Sequence, residues 1–370
     1  MKKSVITLAL VLVIALLTGC AGTPVVYYSD CTCPAGTHAE STPAATTPVE
    51  STPVESTPAA STPVAEGAVK TGVAIIGSAP ESKSAGDADG EVKYDVSVVA
   101  VTVDENGVIQ SCIIDSIGTS VMFDVSGAIM SDLTAPVQTK NELGDAYNMK
   151  LYGGAVAEWY EQAAALASYA CGKTAQELKA GAVGETGYAQ DADLATSATI
   201  YLGGYVAAVE KAVANAQTLG AQAGDELKLA IIPSVGSSKS ADAENEGLAQ
   251  LDVDVAAVTL KDGVITSCAI DSIQAKVAFD ANGTITTELT APMQTKNELG
   301  EGYGMKAWGG AIAEWNEQAA SFAAYITGKT ADEVAGIAID EATKPTDADL
   351  STSVTISIGG FQALIAKACN

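Results

Sequence analysis

The amino-acid sequence predicts an α+β fold, with antiparallel strands followed by grouped helices, present twice in tandem. Runs of β-branched residues surround Asn-Gly and Asp-Gly pairs, which are typical of hairpin turns. Apolar residues at steps of three and four then follow, as on one face of a helix. The same order of elements occurs in both parts of the chain. Strands grouped before helices favour α+β over an alternating α/β arrangement.

The duplication is evident from one long shared block. TAPVQTKNELG at 134–144 matches TAPMQTKNELG at 290–300 with one difference, and the offset between the two copies is 156 residues. We therefore expect two similar domains, at residues 69–219 and 226–370. Each is long enough to bury a core of its own.

Each half is predicted to begin with two hairpins. VSVVAVTVDENGVIQSCIID at 96–115 and VDVAAVTLKDGVITSCAID at 253–271 carry β-branched runs on both sides of a turn sequence. VMFDVSGAIM at 121–130 and VAFDANGTIT at 277–286 have the same pattern over a shorter length. These segments predict the second hairpin of each half.

Helices are predicted after the hairpins. The apolar stripe of the first helix comprises Val156, Trp159, Ala163 and Leu166 in one copy and Ile312, Trp315, Ala319 and Phe322 in the other. A short helix and a loop then lead to a final helix. The stripe of that final helix comprises Leu202, Tyr205, Val209 and Val213 in one copy and Ile358, Phe361, Ile365 and Cys369 in the other.

The N-terminal segment is predicted to be an export signal. MKKSVITLALVLVIALLTGC has two lysines, an apolar run too short for a comfortable membrane span, and the ending Leu17-Thr18-Gly19-Cys20. This ending resembles a bacterial lipobox, which implies cleavage after residues 1–19 and a lipid on Cys20. We therefore expect a protein anchored by this lipid to the extracellular face of the membrane. A plain signal peptide followed by a chance cysteine is the alternative.

Residues 20–68 comprise the lipidated cysteine and a Ser/Thr/Pro-rich tether. Thr-Pro recurs every five residues, with threonine at positions 42, 47, 52, 57 and 62. Such a composition cannot bury a core and favours an extended, disordered chain. The tether would hold the two domains away from the membrane.

Composition excludes several classes of function. The net charge of −26 argues against nucleic acid as a partner, because phosphate backbones would be repelled. The one histidine, His38, falls in the tether, which removes Ser-His-Asp and Cys-His catalysis and the usual zinc sites. No metal site is therefore expected. Cys112 and Cys268 occupy equivalent positions and are interpreted as small buried hydrophobic residues.

A run of acids and hydroxyls precedes each final helix. The two copies are DADLATSATI at 191–200 and DADLSTSVTI at 347–356. Helical spacing predicts that Thr199 and Thr355 lie in the first turn of the final helix, with their hydroxyls facing the protein. Unpaired N–H groups and a partial positive charge at a helix N-terminus suit a phosphate group. Simple helix capping is the alternative, although one residue suffices for a cap.

These runs resemble the flavinylation motif Asp-x-x-[Ser/Thr]-Gly-Ala-[Ser/Thr] of the FMN-binding domain family, which includes subunits of sodium-pumping NADH:quinone reductase and of the Rnf complex. The matching positions are Asp193, Thr196, Ser197, Ala198 and Thr199 in the first half and Asp349, Thr352, Ser353, Val354 and Thr355 in the second. The resemblance implies that a flavin transferase joins FMN through its phosphate to Thr199 and Thr355. The sequence departs from the motif at Ser197 and Ser353, where glycine is usual, and at Val354, where alanine is usual.

The whole layout resembles lipid-anchored members of this family that carry two such domains and serve extracellular electron transfer in Gram-positive bacteria. It implies a tethered carrier of two covalent FMN groups, without a substrate-turnover site of its own. Electrons would come from a membrane quinone-linked system and pass to extracellular metal ions, such as ferric iron, or to small-molecule acceptors. Covalent attachment suits an exported carrier, because a dissociable flavin would be diluted away outside the cell. A non-redox ligand-binding or adhesive surface lipoprotein is the alternative.

Other residues repeated between the halves are further candidates to line the flavin. They are Lys140, Asn141, Glu142, Met149 and Lys150 in the first half and Lys296, Asn297, Glu298, Met305 and Lys306 in the second. A structural turn network is an equally good interpretation of these residues. Trp159 and Trp315 lie on an apolar helical stripe, which favours core packing over stacking on a flavin. Gly-Lys-Thr at 172–174 and 328–330 lacks the preceding glycine of a phosphate-binding loop, and its glycine is interpreted as a helix C-terminal cap.

Overall fold

The computed structural model describes residues 67–370. The predicted signal peptide, the predicted lipidation site at Cys20 and the Thr-Pro repeats of the predicted tether lie outside the described residues. Within 67–370, no helix combines the length and the apolarity that crossing a bilayer requires. The described part consists of two similar halves, each with one three-stranded antiparallel sheet and a set of helices.

The order of elements is the same in the two halves. The first half contains strands β1 Lys70–Ser78, β2 Gly90–Val103 and β3 Ile109–Phe123, and helices α1 Lys140–Leu143, α2 Met149–Gly153, α3 Trp159–Ala170, α4 Ala175–Ala182, α5 Ala192–Ser197 and α6 Gly203–Ala214. The second half contains strands β4 Glu226–Ser234, β5 Gly247–Lys261 and β6 Val264–Phe279, and helices α7 Lys296–Leu299, α8 Met305–Gly309, α9 Trp315–Ile326, α10 Ala331–Ala335 and α11 Gly359–Cys369. Short 3-10 turns lie at Gly144–Tyr147, Gly300–Tyr303 and Leu350–Thr352. The predicted grouping of antiparallel strands before helices is confirmed.

The first predicted hairpin of each half is also confirmed. The strand orders are β1-β2-β3 and β4-β5-β6, and every pairing is antiparallel. The β5–β6 turn has Asp262 at φ 52° and Gly263 at φ 77°, and consecutive positive φ values are what a tight hairpin turn requires. Strands β1 and β4 were not predicted. Strand β1 pairs with β2 and strand β4 pairs with β5, the first strand of the hairpin in each half.

The second predicted hairpin of each half is present only as a turn with a short bridge, and the extended second strand that it implied does not form. Its first strand is the end of the long strand already paired in the sheet. Beyond the turn, only an isolated bridge joins Phe123 to Ile129, and another joins Phe279 to Ile285. The Asp124 carboxylate accepts backbone N–H bonds inside the first of these turns. The turn is therefore held by its own side chain, and no further strand is needed to stabilise it.

The two faces of each sheet enter different hydrophobic cores, because side chains alternate along a strand. Val98 faces a core that also contains Val255 of the other half, whereas Val99 faces the helices of its own half. The layers are therefore helix, sheet, sheet and helix. Each half buries a core against its own helices, as expected, and shares a second core with the other half. Cys112 and Cys268 are buried in the helix-side cores, as predicted, and burial raises the pKa of Cys112 to about 12.

Equivalent residues meet across the contact between the halves, as they do in a two-fold symmetric dimer. The rings of Phe123 and Phe279 stack with centroids 4.1 Å apart and planes 7° from parallel. Reciprocal backbone bonds run from the N–H of Ala85 to the carbonyl of Gly283 at 2.7 Å and from the N–H of Ala241 to the carbonyl of Gly127 at 2.8 Å. The internal duplication has thus produced a pseudo-symmetric pair of halves.

Two ion pairs join the halves near the TKNELG blocks. Lys211 of α6 lies 2.8 Å from Glu298 and also donates to the carbonyl of Ile75 at 2.8 Å. Lys367 of α11 makes the equivalent ion pair with Glu142. Two residues that the sequence suggested as flavin-lining, Glu142 and Glu298, therefore tie each half to the other.

The predicted stripes of α3 and α9 are confirmed except at their first positions, whereas the first positions of the final-helix stripes, Leu202 and Ile358, are buried. Trp159 and Leu166 of α3 are buried as predicted. Val156 and Ile312 instead precede their helices and are 59% and 54% exposed. The helix starts after Glu158, which forms a capping box with the backbone of the first turn, and the residues before this cap are outside the stripe.

Candidate functional site

The repeated motif forms a helical turn of its own, ahead of the final helix. The Asp191 carboxylate accepts two backbone N–H bonds at the start of α5, and Asp347 has the same role in the second half. The final helices begin only at Gly203 and Gly359. The prediction that the motif's last threonine lies in the first turn of the final helix is wrong, because non-helical residues after α5 separate Thr199 from that helix.

The hydroxyl groups inside each turn donate hydrogen bonds to backbone carbonyls of the same turn. The bonds run from Thr196 to the carbonyl of Asp193 at 2.7 Å, from Ser197 to the same carbonyl at 3.3 Å, from Thr352 to the carbonyl of Asp349 at 2.7 Å and from Ser353 to the carbonyl of Leu350 at 3.3 Å. The side chains of Asp193 and Asp349 are exposed. These four hydroxyl residues therefore stabilise the turn and do not cap the final helix.

The residue before the last threonine anchors the motif in the protein. Ala198 and Val354 are buried, and each belongs to the helix-side core of its half. The larger valine is accommodated there without exposure to solvent. Both side chains fix the chain immediately before Thr199 and Thr355.

A buried glutamine holds each motif threonine. The Gln162 side-chain oxygen accepts the backbone N–H of Thr199 at 2.7 Å and that of Ile200 at 3.1 Å, and the Thr199 hydroxyl lies 3.3 Å away. Gln318 makes the same contacts, with 2.8 Å to the N–H of Thr355 and 3.2 Å to its hydroxyl. Thr199 is exposed and Thr355 is half-buried, and both hydroxyls point toward a buried glutamine, so they face the protein as predicted while the residues stay accessible to solvent.

Gln162 is itself fixed by the rest of the half. Its amide group donates to the carbonyl of Ala157 at 2.8 Å and lies 3.5 Å from the sulfur of Met149. Gln318 repeats both contacts, at 2.8 Å and 3.6 Å. Sequence reasoning missed both glutamines. The available signal was a polar residue repeated next to the apolar stripe of α3 and α9, since a buried polar side chain needs hydrogen-bond partners.

The start of the final helix does not offer all of its N–H groups to a phosphate. The N–H groups of Leu202 and Gly203 both donate to the carbonyl of Gly187, at 2.8 and 3.0 Å. The N–H of Ile358 donates to the carbonyl of Thr343 at 2.9 Å. A loop carbonyl therefore already pairs with two of these N–H groups in the first half and with one in the second, and the phosphate seat at the remaining groups stays a prediction.

Lys140 and Lys296 lie against aromatic rings. The Lys140 ammonium is 5.4 Å from the ring centroid of Tyr147 and 5.1 Å from that of Trp159. The corresponding distances for Lys296 are 5.5 and 4.7 Å. Such cation–π contacts stabilise a partly desolvated lysine. Burial lowers the pKa of Lys296, and nearby carboxylates, first among them Asp254, oppose that shift. Trp159 is buried in the core, as the helical stripe favoured.

Asn141 organises a structural network. Its backbone N–H donates to the Asp115 carboxylate at 3.1 Å, and its side chain donates to the carbonyl of Ile114 at 3.1 Å. Asn297 makes the same two types of bond in the second half. Glu142 forms a capping box with Thr139, the residue immediately before α1. The sequence left two interpretations open for Asn141, Glu142 and Asn297, flavin lining and a structural turn network. Their contacts are those of a turn network.

The Asp115 carboxyl gives the network a pH dependence. Burial raises its pKa to about 6, against the opposing effect of its hydrogen bonds, so the folded state binds a proton more tightly than the unfolded chain. The stability from this group is present below pH 4 and is lost as pH rises through 6, by about 3 kcal/mol at most. Asp115→Asn keeps an acceptor oxygen and is expected to flatten this dependence in denaturant titrations between pH 4 and 7. An unchanged slope in that interval would contradict the assignment.

Met149 and Lys150 act mainly through their backbone. Their N–H groups donate to the Glu158 carboxylate at 2.7 and 3.2 Å. Met305 and Lys306 repeat this arrangement with the equivalent glutamate. The side chains of Lys150 and Lys306 are exposed. The segment carrying α2 is thereby attached to the start of α3, close to the glutamine that holds the threonine.

The Gly-Lys-Thr segments are structural. Gly172 and Gly328 follow α3 and α9 with φ values of 77° and 86°, the left-handed conformation of a helix C-terminal cap. Thr174 then caps α4, and Gly172 donates to the carbonyl of Ile109 at 2.8 Å. The prediction of a C-terminal cap is confirmed.

Comparison with protein-family models, with curated proteins and with solved structures finds no match to this chain. Within residues 67–370, no group of three or more His, Cys, Asp or Glu side chains is arranged to hold a metal ion.

Proposed function

We propose that the protein is a cell-surface lipoprotein that carries two covalently bound FMN groups, on Thr199 and Thr355. It takes electrons from a membrane quinone-linked system and passes them to extracellular acceptors such as ferric iron. A flavin transferase attaches the two groups, and the lipid on Cys20 holds the protein at the outer face of the membrane.

One observation carries this proposal. In both halves the last threonine of the motif is at least partly exposed, whereas the other motif hydroxyls bond inside their own turn. Its backbone is held by a fully buried glutamine. Loss of the Thr199 hydroxyl proton on esterification removes only a long 3.3 Å contact, since Gln162 keeps two backbone N–H donors. This environment fits a threonine that is modified while the fold around it stays intact.

The chemistry divides between the flavin and the chain. An attached isoalloxazine ring supplies reversible electron acceptance, which no side chain of this protein needs to provide. The phosphoester forms when the threonine oxygen attacks the FMN phosphorus of flavin adenine dinucleotide. The bond between the two phosphates breaks, AMP leaves, and the hydroxyl proton is released. The chain holds the attachment point through Gln162 and Gln318 and anchors it through Ala198 and Val354.

Intact mass tests the proposal. Protein produced together with a flavin transferase is expected to gain the mass of two FMN groups less water and to remain yellow after denaturation. Thr199→Val and Thr355→Val are each expected to remove one group, and the double variant both. Thr196→Val is the matched control, because its hydroxyl already donates to a carbonyl of its own turn. Unmodified threonines in native protein would contradict the proposal and favour a non-redox binding or adhesive lipoprotein.

A further inference from the structure

The most exposed aromatic side chains of the two halves occupy equivalent positions. Tyr152 is 85% exposed and Trp308 is 91% exposed, and each is followed by two glycines. Val156 and Ile312, just beyond the glycines, are exposed as well. Large apolar side chains that remain in water on a protein with well-filled cores indicate a contact surface.

These aromatic residues lie one helical turn from the methionine whose sulfur contacts the glutamine that holds each motif threonine. Met149 begins α2 and places its sulfur 3.5 Å from the Gln162 amide, whose oxygen accepts the N–H of Thr199. Tyr152 is three residues after Met149, so it is a neighbour of Met149 along the helix surface. The chain of contacts is the same in the second half, from Met305 through Gln318 to Thr355.

The segment is bounded by backbone turns that set its direction. Asn148 and Gly154 flank α2 with φ values of 59° and 60°. Gly304 and Gly310 flank α8 with φ values of 78° and 62°. A side chain at Gly304 would meet the Trp308 ring at 2.3 Å, so this glycine allows the ring to lie across the backbone.

Other exposed aromatic residues near the motif are not repeated. Tyr188 and Tyr201 pack edge to face in the first half, where the second half has Lys344 and Ser357. Among the aromatic residues of 67–370 that are more than half exposed, the pair repeated in both halves is Tyr152 and Trp308, which makes them the candidates to meet a ligand common to both halves. Both members of that pair are exposed aromatic rings, and each lies on the short helix whose methionine contacts the glutamine beside the motif threonine.

We infer that Tyr152 and Trp308 pack against the isoalloxazine rings attached to Thr199 and Thr355. This inference rests on the proposed function. A planar ring joined to the threonine matches the chemistry of an aromatic side chain, because such rings prefer stacked or edge-to-face contact. The contact shields one face of the flavin from water and leaves the other for electron exchange.

The test uses the full chain with one loaded site. In Thr199→Val protein, which keeps the flavin on Thr355, Trp308→Ala is expected to raise fluorescence per flavin and iodide quenching several-fold. Trp308→Phe is expected to keep iodide quenching low, because an aromatic ring still covers the flavin. Met130→Ala removes an exposed apolar side chain outside both glycine-flanked segments and is expected to change neither signal.

Mass spectrometry distinguishes failure of this inference from failure of the proposed function. If the flavin stays attached in Trp308→Ala protein and neither fluorescence nor iodide quenching changes, this inference is overturned. The proposed function is not affected by that result. Absence of flavin from the Thr199→Val parent and from the unmutated protein overturns the proposed function, and this inference with it.

Discussion

Residues 67–219 produced without the second half are expected to lose cooperative unfolding or to self-associate. The reason is the core between the two sheets, which contains side chains from both halves. In the isolated half, buried residues such as Val98, Ile117 and Phe123 would face water. The ion pair between Glu142 and Lys367 would also be lost.

The magnitude follows from the hydrophobic effect. Full burial of a large apolar side chain stabilises a protein by about 1.5–3 kcal/mol, so exposure of five of them costs roughly 8–15 kcal/mol. This loss is as large as the whole stability of a typical domain, about 5–15 kcal/mol. Self-association is the other way to cover the sheet, because the halves already meet as a pseudo-symmetric pair.

The measurement compares three samples by light scattering and denaturant unfolding. They are residues 67–219, residues 220–370, and residues 67–370 as the control. Recovery of control-like unfolding when the two fragments are mixed would support the shared core. A monomeric fragment that unfolds cooperatively with the stability of the control would contradict it.

Gln162→Ala is expected to destabilise the protein by about 2–4 kcal/mol and to abolish flavin attachment at Thr199. Two backbone N–H groups lose their acceptor, and each unsatisfied buried donor costs about 1–3 kcal/mol. The segment carrying Thr199 would then no longer be held against α3. Urea unfolding measures the first effect, and peptide mass mapping measures the second.

The second half supplies the matched control. Gln318→Ala is expected to abolish attachment at Thr355 and leave Thr199 modified, the mirror image of Gln162→Ala. Gln162→Glu retains an acceptor oxygen and is expected to restore part of the attachment. Equal loss of flavin from both threonines in either single alanine variant would contradict a local positioning role.

Much of the fold is predictable because its signals are local. The turn residues and the β-branched runs of the β2–β3 segment predict the hairpin, and apolar spacing predicts α3 and α6. Strand β1 was not predicted because its short apolar run follows the low-complexity tether and is joined to β2 by the long connection 79–89, not by a tight hairpin turn. The second hairpin was overpredicted because the alternation at 121–123 belongs to the strand already formed.

The candidate site is less predictable because its contacts join distant parts of the chain. The motif and its two last threonines were identified from sequence, but Gln162 lies 37 positions before Thr199. Its side chain could not be assigned to the motif until the packing of α3 against α5 was known. The separation of Thr199 from the final helix was missed because spacing was extrapolated through residues that are not helical.

Sequence alone determined the duplication, the grouping of strands before helices, and the equivalent threonines, since each depends on local composition and period. Tertiary structure decided that the sheets share a core, that Glu142 and Glu298 join the halves, and that buried glutamines hold the threonines. The strand β2 shows why: near-continuous apolar residues indicate that both faces are covered, but not which surface covers each face. That choice is made by packing across the whole chain.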